Sequence, residues 1–156
     1  MGHHSQVILA GRRVNDTMYA YVSKQVILAL AKTGKTLNKS RVLVMGVTFK
    51  ENVPDTRNSK VLQIIQELRK YGIEVHACDP YVEHEKILSR FSATPASWPL
   101  DGILYDAVVI AVPHKEFKAL PASRIKKMLN HPGAVVDLKW VYKKEDFQPD
   151  VVYEGL

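Results

Sequence analysis

Lys50 and Arg57 are the residues whose types and setting speak most directly of chemistry in this sequence. Both lie in Gly46-Val47-Thr48-Phe49-Lys50-Glu51-Asn52-Val53-Pro54-Asp55-Thr56-Arg57-Asn58-Ser59, a polar segment between a short apolar run and an amphipathic one. A lysine offers a mobile point charge, and an arginine a planar fork that matches phosphate or carboxylate. Where such a segment follows a strand and opens a helix, backbone N–H groups add their own attraction for an anion. A blander reading stands beside this one: Asp55 or Ser59 caps the helix, and both cations are solvated surface. One chemistry is excluded. The dinucleotide fingerprint G-x-G-x-x-G is missing, because Gly46 is the only glycine of the loop.

Other reactive residue types carry less. Cys78 is the single cysteine, so no intramolecular disulfide and no multi-cysteine metal site exist in the chain, and the expected compartment is a reducing cytoplasm. It stands at the end of an apolar run before Asp79-Pro80 with no base near it in sequence, which fits a buried structural thiol and not a nucleophile. His114 follows a long apolar run; contact with a ligand is one reading, and a loop histidine bonded to backbone the commoner one. His3 and His4 are adjacent, their side chains diverge on a helix, and no carboxylate or cysteine joins them, so no metal site is expected. Arg12, Arg13, Asn15 and Asp16 on the same helix face either a cleft or a partner copy, or are solvated or paired in interhelical salt bridges.

The elements that position these residues are legible from periodicity. Val7, Ile8, Val14, Met18, Tyr21, Val22, Val26, Ala29 and Leu30 fall at helical spacing through Lys32, with Gly34 as the C-terminal stop. This helix is longer than one small domain needs and reads as a connector or a dimer-forming spine. Arg41–Met45 then predicts a buried strand, and Val61, Leu62, Ile64, Ile65 and Leu68 an amphipathic helix ending near Tyr71-Gly72. A second strand is expected over Ile73–Cys78, a helix around His84–Phe91, and a loop through Pro95 and Pro99. Ala107–Val112 is continuously apolar, as a central parallel strand covered on both faces would be. Ser123 is the expected cap of a helix through Leu129, and Gly133 precedes a strand over Ala134–Leu138. Strands alternating with helices after a long first helix give a doubly wound parallel α/β sheet, with ligands at the carboxyl ends of its strands. The division expected is 1–36 for the helix region and 37–156 for the sheet domain.

Composition narrows the partner. A hydrophobic fraction of 46% and a charged fraction of 24% are those of a globular domain, and 156 residues suffice for one core. No apolar run approaches the ~20 residues of a membrane span, and no basic segment followed by an apolar stretch opens the chain as a secretion signal would. Lys+Arg number 22 against 16 Asp+Glu, a net charge of +6 that favours anionic ligands. The basic residues are scattered and not interleaved with aromatics, so a small phosphorylated ligand is expected ahead of nucleic acid. The chain enters its first helical segment almost at once, as one cut from a longer protein would.

Read in order, Phe49-Lys50 followed by Asp55-x-Arg57-x-Ser59 resembles the G-x-x-F-K-x-x-x-x-D-x-R-x-S loop of the UDP-glucose/GDP-mannose dehydrogenase family. Further segments align with that family in the same order: Val7–Asp16, Asp79-Pro80-Tyr81-Val82, Asp106–Val112 with His114 and Phe117, and Val136-Asp137-Leu138-Lys139. Together they cover nearly the whole chain, and the first helix and the Phe49–Ser59 loop resemble most the branch that oxidises UDP-N-acetylhexosamines.

The resemblance implies a Rossmann-like C-terminal domain that binds the UDP-sugar, preceded by part of a central helix. It implies an enzyme that uses NAD to oxidise the sugar C6 alcohol to a uronic acid for polysaccharide assembly. The catalytic cysteine and the glycine-rich NAD loop would lie in an N-terminal domain absent from this chain, so no catalytic residue is expected here and the chain should be inactive alone. Carried over by position, Phe49 and Lys50 contact the UDP-sugar, Lys139 stands near it in place of an Arg or Lys, and Arg57 reaches NAD across the cleft. The implied partners are the UDP-sugar, the NAD-binding domain and a second copy through the first helix. A natural stand-alone module that binds nucleotide sugars without catalysis is the alternative.

Overall fold

Alternation along each strand sorts the apolar side chains onto two faces of one sheet. In β1 (Arg41–Met45), Val42 and Val44 face one layer and Leu43 and Met45 the other, and all four are fully buried. In the computed structural model, which describes residues 2–98 and 102–156 with first-helix side chains from Thr17 onward, six strands form one sheet. β2 (Glu74–Cys78), β3 (Thr94–Pro95), β4 (Tyr105–Ile110), β5 (Leu129–Asp137) and β6 (Val151–Gly155) join β1 in the order β3-β2-β1-β4-β5-β6, every pair parallel. The chain winds outward from β1 to β3, then returns to β4 on the other side of β1. The β1–β4 boundary is therefore the topological switch point of the doubly wound sheet.

Helices cover both faces. On one lie α1 (Gly2–Lys32), α2 (Val61–Lys70) and α3 (His84–Phe91); on the other lie α4 (Lys115–Lys118) and α5 (Ala122–Lys127), with Phe147 packed beside them. α2 shows why. Val61, Ile64, Ile65 and Leu68 recur at helical spacing on one stripe and are at most 5% exposed. Burial of each such side chain contributes roughly 1.5–3 kcal/mol. The helix stops at Gly72, where φ is +78° and its N–H donates to the Arg69 carbonyl at 3.0 Å; a Cβ there would meet Asn38 at 2.9 Å.

The long first helix does more than connect. Val22, Val26, Ala29 and Leu30 are buried in the same core as Val42, Val44 and Ile65. Met18 and Tyr21, on the expected apolar stripe, stay about half exposed. The expectations attached to the side chains of His3, His4, Val7, Ile8, Arg12, Arg13, Val14, Asn15 and Asp16, and to Pro99, lie outside the described residues.

Several boundaries differ from the periodicity. Ser123 is not the cap of α5; it stands inside the helix, which begins after Pro121, whose ring holds φ at −70° and whose carbonyl accepts the Arg124 N–H at 2.9 Å. The helix ends at Lys127, because Leu129 already pairs with Tyr105 as the start of β5. β4 stops at Ile110, and the N–H groups of Ala111 and Val112 both turn to the Met45 carbonyl, at 3.0 and 3.2 Å. β3, α4 and β6 were not anticipated. β3 has only two residues, one a proline tolerated at a sheet edge, and β6 forms the opposite edge, paired with β5.

Candidate functional site at the carboxyl ends of β1, β4 and β5

β1 ends on a glycine for a steric reason. Gly46 has φ +91°, and a Cβ on it would lie 2.6 Å from Val112 Cβ and 2.7 Å from the Val112 carbonyl oxygen. The switch-point crevice at this level is thus filled by Val112. That packing, with one glycine in the loop, does not fit the cradle in which a dinucleotide pyrophosphate usually sits.

Beyond Gly46 the loop folds on itself. The Phe49 N–H donates to the Asp55 carbonyl at 2.7 Å, closing a ring of residues with Lys50 in the exposed part. Asn52, at φ +61°, is tied twice to the start of α4: its N–H donates to His114 Nδ1 at 2.9 Å, and its Oδ1 accepts the Lys115 N–H at 2.8 Å. Thr48 is buried and donates its hydroxyl to the Lys50 carbonyl at 2.8 Å. Glu51 and Lys118 form an exposed pair at 3.1 Å, of a kind that contributes ~0–1 kcal/mol and does not hold the loop. Ser59 Oγ accepts the Val61 N–H at 3.3 Å, yet the N-cap of α2 is Lys60, so neither Asp55 nor Ser59 is the capping residue.

The four residues singled out from the sequence are placed differently. Phe49, 57% exposed, lines a cleft of about 410 Å³. The cleft runs between Met18, Tyr19 and Val22 of α1, the loop and first residues of α2 from Asn58 to Ile64, and Ala111, Val112 and Leu138 past the ends of β4 and β5. Lys50 adjoins Phe49 on the exposed loop, and Lys139 follows the lining residue Leu138. Arg57 does not line the cleft. Its Nε and a terminal nitrogen donate to the two carboxylate oxygens of Asp55, at 3.1 and 3.3 Å, and the side chain is 83% exposed. The guanidinium hydrogen bond holds the Asp55 carboxyl below the usual range, and the carboxylate raises Arg57 in return.

Lys139 is held from below. Asp137, fully buried at the end of β5, accepts the Lys139 N–H at 3.2 Å, the Tyr142 N–H at 3.0 Å and the Tyr153 hydroxyl at 2.8 Å. The same loop carries Trp140 at φ +53°, 63% exposed, its indole against Gly155, where any Cβ would intrude to 2.6 Å. A separate cavity of about 230 Å³, lined by Tyr105, Arg124, Met128 and neighbours, contains none of these loop residues.

Two residues to which the sequence reading gave no binding role, His114 and Asp79, tie the loops of the site together. His114 is fully buried, and its Nε2 lies 2.8 Å from Asp79 Oδ2 and 3.2 Å from Thr48 Oγ1. The expected bond to backbone is present, from the Asn52 N–H, but the buried carboxylate was not foreseen. Asp79 Oδ2 also accepts the Val47 N–H and Oδ1 the Tyr81 N–H, each at 2.8 Å, so one carboxylate joins the loops after β1, β2 and β4. Only the order of motifs hinted at this, since residues 48, 79 and 114 lie far apart in the chain. Cys78 is buried in the second core layer, and burial, with Asp79 beside it, pushes its thiol well up, the setting of a structural thiol.

Comparison with known proteins bears directly on this architecture. Residues 43–144, which hold the loop, the Asp79–His114 tie and Lys139, match the family model described as "UDP-glucose/GDP-mannose dehydrogenase family, UDP binding domain". The chain is 42% identical over 145 residues to a UDP-N-acetyl-D-glucosamine 6-dehydrogenase of Pseudomonas aeruginosa, covering 93% of this chain and 34% of that protein. It is 39% identical over 151 residues to the protein of the same name from Salmonella typhi, covering 97% and 35%. The solved UDP-D-ManNAc dehydrogenase of Pyrococcus horikoshii superposes with a TM-score of 0.76 at 28% identity, over 92% of this chain and 32% of that one. The chain spans about a third of the length of the relatives it matches. A parallel sheet whose first loop is built around Phe49-Lys50 and whose sequence matches at this level belongs to the UDP-glucose/GDP-mannose dehydrogenase family.

Proposed function

We propose that this chain binds the nucleotide-sugar for an NAD-dependent UDP-sugar 6-dehydrogenase, one that oxidises the C6 alcohol of a UDP-N-acetylhexosamine to the uronate. The observation that carries the reading is the cleft at the carboxyl ends of β1, β4 and β5 with Phe49 in its wall and Lys50 beside it. In this reading the Phe49 ring packs on the nucleotide, and Lys50 neutralises pyrophosphate charge with a charge-assisted hydrogen bond. Lys139 approaches from the β5 loop, its backbone fixed by Asp137.

NAD belongs to another domain of the full protein. The packing of Val112 over Gly46 supports that assignment. Arg57, displayed outward on Asp55, is the residue of this chain that faces NAD when that domain is present. No described helix is long and apolar enough to cross a membrane, and neither membrane nor nucleic acid is a proposed partner. The proposed setting is the cytoplasm.

Calorimetry of the purified chain with UDP, GDP, NAD and UDP-N-acetylhexosamines, together with an assay for NADH formation, tests the reading. UDP and UDP-sugars are expected to bind, NAD to give no heat, and no NADH to form. Absence of UDP binding, or steady NADH production by the chain alone, would overturn it.

A further inference from the structure

We infer that His114, as the neutral imidazole with its proton on Nε2, is the positioning residue of the Phe49–Lys50 loop. Hydrogen-bond directions fix the tautomer. The Asn52 backbone N–H points at Nδ1 from 2.9 Å, and a donor faces a lone pair, so Nδ1 carries no proton. Thr48 commits its hydroxyl proton to the Lys50 carbonyl at 2.8 Å, so toward the ring its oxygen only accepts. The Nε2 proton is therefore directed at Asp79 Oδ2, 2.8 Å away, with Thr48 Oγ1 as a longer second acceptor at 3.2 Å.

Neither the His114 nor the Asp79 side chain has any exposed surface, and Tyr81 and Phe117 pack on the ring with centroids at 4.8 and 5.5 Å. One side of the imidazole is thus anchored on the end of β2, and the other holds the loop after β1. The loop is gripped on both sides of Lys50. Thr48 holds the Lys50 carbonyl, and Nδ1 holds the amide two residues on. Lys50 itself projects from this frame without using its side chain to keep it. A loop fixed in advance loses less freedom when it closes on a ligand, so the bond from Asn52 to His114 is expected to appear in ligand affinity. That consequence rests on the nucleotide-binding reading above; the positioning of the loop does not.

Two substitutions separate the halves of the ring. In His114→Asn the amide oxygen replaces Nδ1 as acceptor for Asn52, and the link to Asp79 is lost. In His114→Gln the amide nitrogen replaces Nε2 as donor to Asp79, and the link to Asn52 is lost. Amide hydrogen exchange should show Asn52 protected in the wild type and in His114→Asn, and exchanging roughly tenfold faster or more in His114→Gln, the factor for about 1.4 kcal/mol of opening free energy. With UDP as the probe, Kd should rise about tenfold in His114→Gln and much less in His114→Asn, tracking Asn52 protection and not melting temperature.

Equal Asn52 exchange in the two variants, or wild-type UDP affinity in His114→Gln, would overturn the assignment. In the unsubstituted protein, nitrogen chemical shifts should show an unprotonated Nδ1 and a protonated Nε2; the opposite tautomer overturns it without any variant. Should the wild type fail to bind UDP, the nucleotide reading falls, and the exchange and tautomer measurements still decide the role of His114.

Discussion

Lys50 and Arg57 are cations of the same loop, seven positions apart in sequence, yet the fold gives them different occupations. Arg57 is engaged bidentately by Asp55, whereas Lys50 adjoins the cleft residue Phe49 on a loop held by Thr48 and Asn52. A charge-assisted hydrogen bond to pyrophosphate is worth roughly 1.5–3 kcal/mol. Lys50→Ala should accordingly weaken UDP binding roughly ten- to a hundredfold, while Arg57→Ala leaves it nearly unchanged. Calorimetry on the two variants checks this, and equal losses or a larger loss at Arg57 would mean the roles are misassigned. The residue types of this site were legible before folding, because Phe-Lys and Asp-x-Arg-x-Ser sit in one short segment. Asp79 and His114 were not, because what makes them matter is a 2.8 Å contact between segments separated by dozens of residues.

At the scale of elements, periodicity located α2 well because a single stripe decides it. Val61, Ile64, Ile65 and Leu68 have one face to bury and one sheet to bury it on. Leu68 is fully buried, so Leu68→Ala should lower unfolding free energy by about 2–5 kcal/mol, read from the urea midpoint at unchanged slope. A loss under ~1 kcal/mol would show that α2 is not packed as described. Where tertiary pairing competes with local signal, the boundaries moved. Leu129 left the helix expected to include it because Tyr105 offered a ladder partner, and Ala111 and Val112 left their strand to cap β1 through the Met45 carbonyl. Neither shift is visible in a window of neighbouring residues.

For the molecule as a whole, α1 is the element whose surfaces remain to be accounted for. Its Val22–Leu30 stripe is consumed by its own sheet, and Tyr21 and Leu28, away from the cleft, are left 51% and 44% exposed. The proposal that a second copy pairs through this helix therefore rests on the outward side and not on the stripe that first suggested it. Sedimentation across micromolar concentrations should show a dimer, and Tyr21→Glu should shift it toward monomer by placing a charge in an apolar contact. A monomer throughout would remove the proposal.

The order of apolar and polar residues was enough to determine a doubly wound α/β domain, because strands buried on both faces must be continuously apolar and their covering helices must be striped. The residue types of the first loop likewise excluded the glycine fingerprint and marked Lys50 and Arg57, while Phe49 was marked through the family resemblance. Tertiary structure alone decided that Val112 fills the space over Gly46 and that His114 and Asp79 join the loops after β1, β2 and β4. The physical reason is common to all of these. Periodicity reports which face of an element is buried, whereas a close approach or a hydrogen bond between loops depends on where the sheet order brings distant residues together, and that order is set by the packing of the whole chain.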